Sequence, residues 1–245
     1  MYEERNYRNL VKSRDLINFQ TIVQETDLFI SAEKNLRKAA SASIRKYRQQ
    51  IRDYINIDPE FQKILRPYMV ADTSPQIVRE MARASAIAGV GPFASVAGAI
   101  AEFVGGDLLK FSSQLIVENG GDIFIKSNRN RLIGIFAGKS ALSNQLAIDI
   151  PGSETSLGIC TSSGTVGHSL SYGKADAVVI ISDSTLIADA VATATGNLIQ
   201  SPHDIEKGIE FARKIKAIKG IVIIIDNKIG VWGDITLVKT EQLDR

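Results

Sequence analysis

Asp189, Thr193 and Asn197 recur at i, i+4 and i+8 in the segment TLIADAVATATGNLIQ, whose other residues are mostly Ala, Ile, Leu and Val. In a helix that spacing puts all three on one face. Buried polar groups need partners, and a carboxylate and a hydroxyl one turn apart, with Cβ atoms about 5–6 Å apart, can both reach a hard cation. Mg2+ suits such a pair, because it takes one or two protein carboxylates and fills its shell with water and phosphate oxygens. The plainer alternative is that Thr193 bonds back to its own helix and Asp189 pairs with a Lys or Arg.

Two further clusters lie upstream. Asn119-Gly120-Gly121-Asp122 sits between apolar strand segments; Asn-Gly is a strong hairpin signal, and paired glycines also expose backbone amides to a ligand. Thr161-Ser162-Ser163-Gly164 opens the loop TSSGTVGHSLSYGK, which invites a phosphate-loop reading. The spacing fails that test: five residues separate Gly167 from Gly173, and Ala175 follows Lys174 where Ser or Thr is required. Ser163 with His168 does not fit a nucleophile elbow. Cys160 lies in an apolar run where a buried, inert thiol is the default, so Cys160 with His168 makes a weak thiol catalyst.

These groups must be positioned by an ordinary globular chain. The 245 residues are 44% hydrophobic and 23% charged, with a net charge of +2, too little for the long-range field of a dedicated nucleic-acid binder. One cysteine excludes an intramolecular disulfide, and with only two histidines a Cys/His zinc site cannot form. The polar start MYEERNYRNL lacks the apolar run of an export signal, so a cytoplasmic protein is expected. Ala84 to Ala101 are eighteen consecutive uncharged residues, but seven are Ala and three Gly, and Gly91-Pro92 interrupts them. Close backbone approach is the preferred reading over a membrane span.

Leu16 to Ser31 alternates apolar and polar residues and reads as one or two strands. Leu36, Ala40, Ile44, Tyr47, Ile51 and Tyr54 then form one helical stripe ending before Pro59. The opposite face carries Lys34, Arg37, Lys38, Arg45, Lys46, Arg48 and Arg52, a solvated face in preference to a strip for RNA or an acidic partner. Helices are expected from Ser74, with Pro75 in the first turn, to Ala88, and from about Ser95 to Leu109. Strands follow at 114–126, 131–138 and 144–152, antiparallel and consecutive, then from Ser156 into a loop, and at 176–182. Ser182 or Asp183 is the expected cap of the next helix, an amphipathic helix spans 204–218, and 219–226 with 229–238 form a closing hairpin. The sum is an α+β chain in one domain, with a lobe of about residues 1–110 packed on a lobe of about 111–245.

The order Asn119-Gly120-Gly121-Asp122, Thr161-Ser162-Ser163-Gly164, Ala188-Asp189-Ala190-Val191-Ala192-Thr193-Ala194 resembles that of the ApbE superfamily, the FAD:protein FMN transferases. The resemblance covers roughly residues 95–200, and TDLFIS with the basic helix is similar to a smaller cytoplasmic branch of it. It implies an ApbE-like, T-fold-related two-lobed architecture of mainly antiparallel sheets packed by helices. It also implies Mg2+ on Asp189 and Thr193, and a site for FAD or FMN lined by Asn119, Gly120, Gly121, Asp122, Thr161, Ser162, Ser163, Gly164 and His168. In that family FMN passes from FAD to a protein acceptor with release of AMP. Two departures stand out: the family's Lys-Gly step is Ala97-Gly98 here, and a long insert is cut to TVGHSLSYG, leaving His168 as a remnant. The implied partners are a small-molecule nucleotide and a protein acceptor; composition and hydropathy speak against membrane and nucleic acid, and the apolar, Gly- and Ala-rich surfaces could support a homodimer. The competing expectation is an accessory protein of sulfur assimilation towards homocysteine.

Overall fold

The computed structural model describes residues 15–165 and 171–240. Strands β1 (Ile17–Val23) and β2 (Thr26–Ala32) form a hairpin, and the apolar stripe that follows becomes α1 (Arg37–Ile57). After a short α2 (Glu60–Lys63), α3 (Gln76–Ala88) and α4 (Val96–Leu108) are joined through a 3-10 turn at Pro92–Ser95. The chain then makes β3 (Leu115–Asn119), β4 (Asp122–Ser127), β5 (Arg131–Gly134), β6 (Leu146–Ile150), β7 (Ser153–Ser162) and β8 (Ala177–Ser182). It ends with α5 (Thr185–Leu198), α6 (Ile205–Arg213), β9 (Ile218–Ile225), β10 (Lys228–Gly233) and β11 (Thr236–Lys239).

Eight strands form one sheet in the order β1-β2-β3-β4-β7-β8-β9-β10, and β11-β6-β5 form a second. Every strand pair is antiparallel, so the chain is α+β as expected. The large sheet takes strands from both sides of residue 110, because β2 pairs with β3 (Ala32↔Leu115).

The sheet is buried on both faces. Val178, Ile180, Ile221, Ile223 and Ile225 point into a core shared with α1, α3, α4, α5 and α6. Their neighbours Ala177, Val179, Ile181, Val222 and Ile224 point into a second core with Ile133, Ile135, Ile148 and Ile150 of the small sheet and its flank. That explains why β8 and β9 read as unbroken apolar runs rather than alternating ones. Fully burying each Ile or Val contributes about 1.5–3 kcal/mol.

Several boundaries differ from expectation. β5 and β6 leave the main sheet, so β4 pairs with β7 and the three expected strands are not neighbours in one sheet. The closing strand is broken at Gly233, whose φ of +100° turns the chain so that β11 joins β6 instead of continuing β10. Pro75 is extended, so α3 starts one residue later than Ser74-Pro75 suggests. The cap of α5 is Ser184, whose side chain accepts from the Ile187 amide, not Ser182 or Asp183. Gly89, at φ +74°, ends α3, and the α3 and α4 segments are bent by 100°. No single helix among the described residues is long and apolar enough to cross a membrane. Much of the basic face of α1 is spent within the chain: Arg48 bonds Thr26 and Gln24 and pairs with Glu25, Arg52 bonds Gln24, and Lys46 pairs with Asp107 at 3.4 Å.

Candidate functional site

α4 and α5 lie side by side on the helical face of the sheet. Gly98, in the first turn of α4, donates its amide to Asp189 Oδ2 on α5 at 2.8 Å. One turn further along α4, Glu102 Oε2 accepts from the Ser184 hydroxyl at 3.0 Å and from the Thr185 and Leu186 amides at 2.5 and 3.3 Å. The later residue of α4 meets the earlier part of α5, so the helices run antiparallel and each N-terminus is covered by a carboxylate from the other. The first turn of a helix has unpaired N–H groups and a partial positive charge, and both features favour this arrangement. The close approach depends on missing side chains. A Cβ on Gly98 would lie 2.5 Å from the Thr185 carbonyl oxygen and 2.9 Å from Asp189 Cβ, and one on Gly158 of β7 would run into the Thr185 backbone.

The Asn119–Asp122 segment is the β3–β4 turn, with Asn119 and Asp122 paired and Gly120 and Gly121 at φ +68° and +105°. Two positive φ values in a two-residue loop are what glycine supplies without strain. Asn119 Nδ2 donates to the Ala97 carbonyl oxygen at 2.9 Å, which ties the turn to the start of α4 beside Asp189. Asp122 lies opposite Cys160 of β7, and Cys160 Sγ donates to the Thr185 carbonyl oxygen at 3.3 Å. The turn, α4, α5 and β7 therefore converge on one place.

Thr161 and Ser162 end β7, and Ser163 and Gly164 begin the loop beyond it. Gly164 donates its amide to the Ala175 carbonyl oxygen at 2.9 Å, and a Cβ on Gly164 would strike Gly173, as one on Gly173 would strike Gly196 of α5. Three backbones are in contact there. Gly121 likewise donates its amide to Glu118 Oε1 at 3.0 Å. Gly164 thus shapes the site by its small size and Gly121 by its positive φ, and the amides of both are engaged within the chain. His168 lies outside the described residues.

The polar stripe of α5 divides into three roles. Asp189 takes the Gly98 amide, and Asn197 Oδ1 accepts from the Tyr172 amide at 2.9 Å, anchoring the returning loop. Thr193, half-buried between them, makes no side-chain hydrogen bond among the described residues, so the back-bonded alternative is not adopted.

Burial pushes the Asp189 carboxyl up to about 7, against the lowering effect of the Gly98 and Ala97 amides. Asp122 is raised well above the usual carboxylate range, first by burial and then by the Asp189 charge. Burial and both aspartates also hold the Cys160 proton in place, which makes it the inert thiol expected. The leading influences on both aspartates are burial, backbone amides and neighbouring acidic groups rather than a basic side chain. Two mutually repelling carboxylates and an unbonded hydroxyl fit a hard divalent cation. Among the described residues no three His, Cys, Asp or Glu side chains form a metal cage, so the remaining ligands would be water and ligand oxygens, as Mg2+ prefers.

Sequence reasoning singled out Asp189, Thr193, Asn119 and Asp122; the structure places Asp122 beside Asp189, ties Asn119 to Ala97 next to Gly98, and sets Thr193 one helical turn from Asp189. It missed Glu102 and the donor role of Gly98. The signal for Glu102 was present, since it is the only charged residue between Arg83 and Asp107.

A family model described as AbpE bacteria matches residues 8–227. A UPF0280 protein of Methanocaldococcus jannaschii is 40% identical over 228 residues, 90% of this chain and 93% of its own. One from Methanococcus aeolicus is 38% identical over 235 residues, 93% and 94% of the two chains. Among solved structures, the apo form of the Pseudomonas stutzeri flavinyl transferase ApbE matches with a TM-score of 0.58 at 14% identity, covering 91% of this chain and 94% of that one. The flavin transferase ApbE from Vibrio cholerae matches with the same score and identity, covering 91% and 97%.

Proposed function

The chain belongs to the AbpE bacteria family, and from that premise we propose that it binds FAD or FMN with Mg2+ where α4, α5 and the β3–β4 turn meet, and transfers FMN from FAD to a protein acceptor. The observation that carries this reading is the Asp189–Thr193 pair. Asp189 is held by the amides of Gly98 and Ala97, and the Thr193 hydroxyl one turn away, which makes no hydrogen bond among the described residues, stands beside it as a further oxygen for a cation.

Asp189 and Thr193 would hold Mg2+, which when bound would supply charge neutralisation at the diphosphate, leaving the chain to supply position. Asp122 stands beside Asp189 as a second carboxyl group, its proton held more tightly than usual by burial and by the Asp189 charge. The turn glycines, lacking side chains, leave room for a planar ligand against the backbone, and Asn119 fixes that turn to α4. Ala97 places no cation beside the ligand, so recognition of the diphosphate rests on the metal and on uncharged donors.

Free FAD is internally quenched, so its fluorescence tests the proposal directly. Purified protein with FAD should give a Mg2+-dependent change on binding and a slow rise if the diphosphate is cleaved, and both should vanish in Asp189→Ala. Neither binding nor cleavage in the wild type, with or without Mg2+, would overturn it.

A further inference from the structure

We propose that Glu102 is a positioning residue: it sets α5 along α4 so that Asp189 and Thr193 stand where a cation can bridge them, without itself touching the ligand. The inference rests on the reading of Asp189 and Thr193 given above. Gly98 and Glu102 are one turn apart on α4, and the groups they hold, Asp189 and the Ser184–Leu186 turn, are about one turn apart on α5. Two tethers one turn apart fix both the sliding and the rotation of one helix against the other, where a single tether would fix neither.

Glu102 is suited to this task. Its one oxygen, Oε2, gathers a hydroxyl and two amides at the start of a helix, where the dipole favours an anion. Its neighbours on α4 are small or apolar, including Ala99, Ala101, Phe103 and Val104, so no nearby polar residue of that helix can substitute for it. The effect must travel only from Thr185 to Asp189, a single turn of a helix clamped between Gly98 and Gly158. Residues that orient metal ligands without binding the metal commonly change its affinity by about 10–100-fold.

The test is calorimetric titration of the full chain with Mg2+ for wild type, Glu102→Ala and Glu102→Gln, with hydrogen exchange of the Gly98 amide followed in parallel. A control comes from Asp204, whose Oδ2 takes the Gln200 and Ser201 amides at 3.0 and 2.9 Å and the Ser201 hydroxyl at 3.0 Å, an equivalent cap remote from α4. Glu102→Ala should weaken Mg2+ binding about tenfold or more, Glu102→Gln should fall between it and wild type, and Asp204→Ala should lower thermal stability with Mg2+ affinity unchanged. Wild-type affinity in both Glu102 variants would overturn the proposal, and if the alanine variant does not fold the glutamine variant decides. If the wild type takes up no Mg2+, the cation reading fails, and Gly98 exchange decides separately: faster exchange in Glu102→Gln than in Asp204→Ala supports positioning across the helix pair, and equal rates overturn it.

Discussion

Gly98 gives its amide hydrogen to Asp189 Oδ2 at 2.8 Å across an interface so narrow that a methyl group on Gly98 would press on Asp189 Cβ itself. The hydrogen bond and the missing side chain are two sides of one requirement, since only glycine brings an α4 amide within reach of a carboxylate rooted on α5.

Replacing Gly98 by Ala should therefore do more harm than an ordinary helical substitution, even though Ala is the better helix former. The added methyl meets backbone and Cβ atoms that cannot swing aside, so a loss of about 1–3 kcal/mol is expected, as for other overpacked cores. Chemical denaturation should show it, together with loss of the Mg2+-dependent FAD signal. An alanine variant as stable as wild type would mean that the two helices can separate freely.

Raised carboxyl groups make stability depend on pH in a definite direction. Asp189 keeps its proton to about 7 in the folded chain but would lose it at its ordinary value of 3.8 when unfolded. Between those values the folded state holds more protons, so apo stability should fall as pH rises, at about 1.4 kcal/mol per pH unit at most. Asp122, shifted the same way, adds to the slope. Mg2+ competes with the proton, so its stabilising effect in a thermal melt should be small at pH 5 and large at pH 8, and Asp189→Asn should shrink both trends. Equal Mg2+ effects at the two pH values would contradict the account.

Thr193 separates fold from binding, because its hydroxyl supports nothing inside the chain among the described residues. Thr193→Val keeps the branched shape, so its melting curve should match wild type to within about 0.5 kcal/mol. Its Mg2+ affinity should drop, and Thr193→Ser should restore it. A valine variant with wild-type Mg2+ binding would remove Thr193 from the site.

Cys160 is fully buried and its thiol is raised by burial and two aspartates. It should resist alkylation in the native protein and react at once in denaturant, measured by mass after iodoacetamide treatment. Fast native labelling would show that β7 and α5 part more readily than their contact implies.

Much of this was legible in the chain because periodicity survives burial. The i, i+4, i+8 stripe of α5 marked the half-exposed line of an otherwise buried helix, and the Asn-Gly-Gly-Asp turn was visible from backbone chemistry alone. What the spacing could not show is the partner of each residue. Asp189, Thr193 and Asn197 look equivalent along the helix, yet Asp189 meets an amide of α4 91 positions away, Asn197 meets a loop amide 25 positions away, and Thr193 makes no side-chain hydrogen bond among the described residues. The departure of β5 and β6 from the main sheet was hidden for a related reason, since an apolar strand reads the same whichever sheet it joins.

In β7, Ile159 faces the small sheet and Cys160 faces the helices, and the same alternation runs through β8 and β9. Adjacent letters of one strand thus answer to different masters. Every described residue assigned to the site projects on the helical side or lies at the strand ends, and none belongs to the three-stranded layer beneath. Substitutions in that layer and in its loop at residues 135–145 should therefore leave the positions of Asp189, Thr193 and Asp122 unchanged.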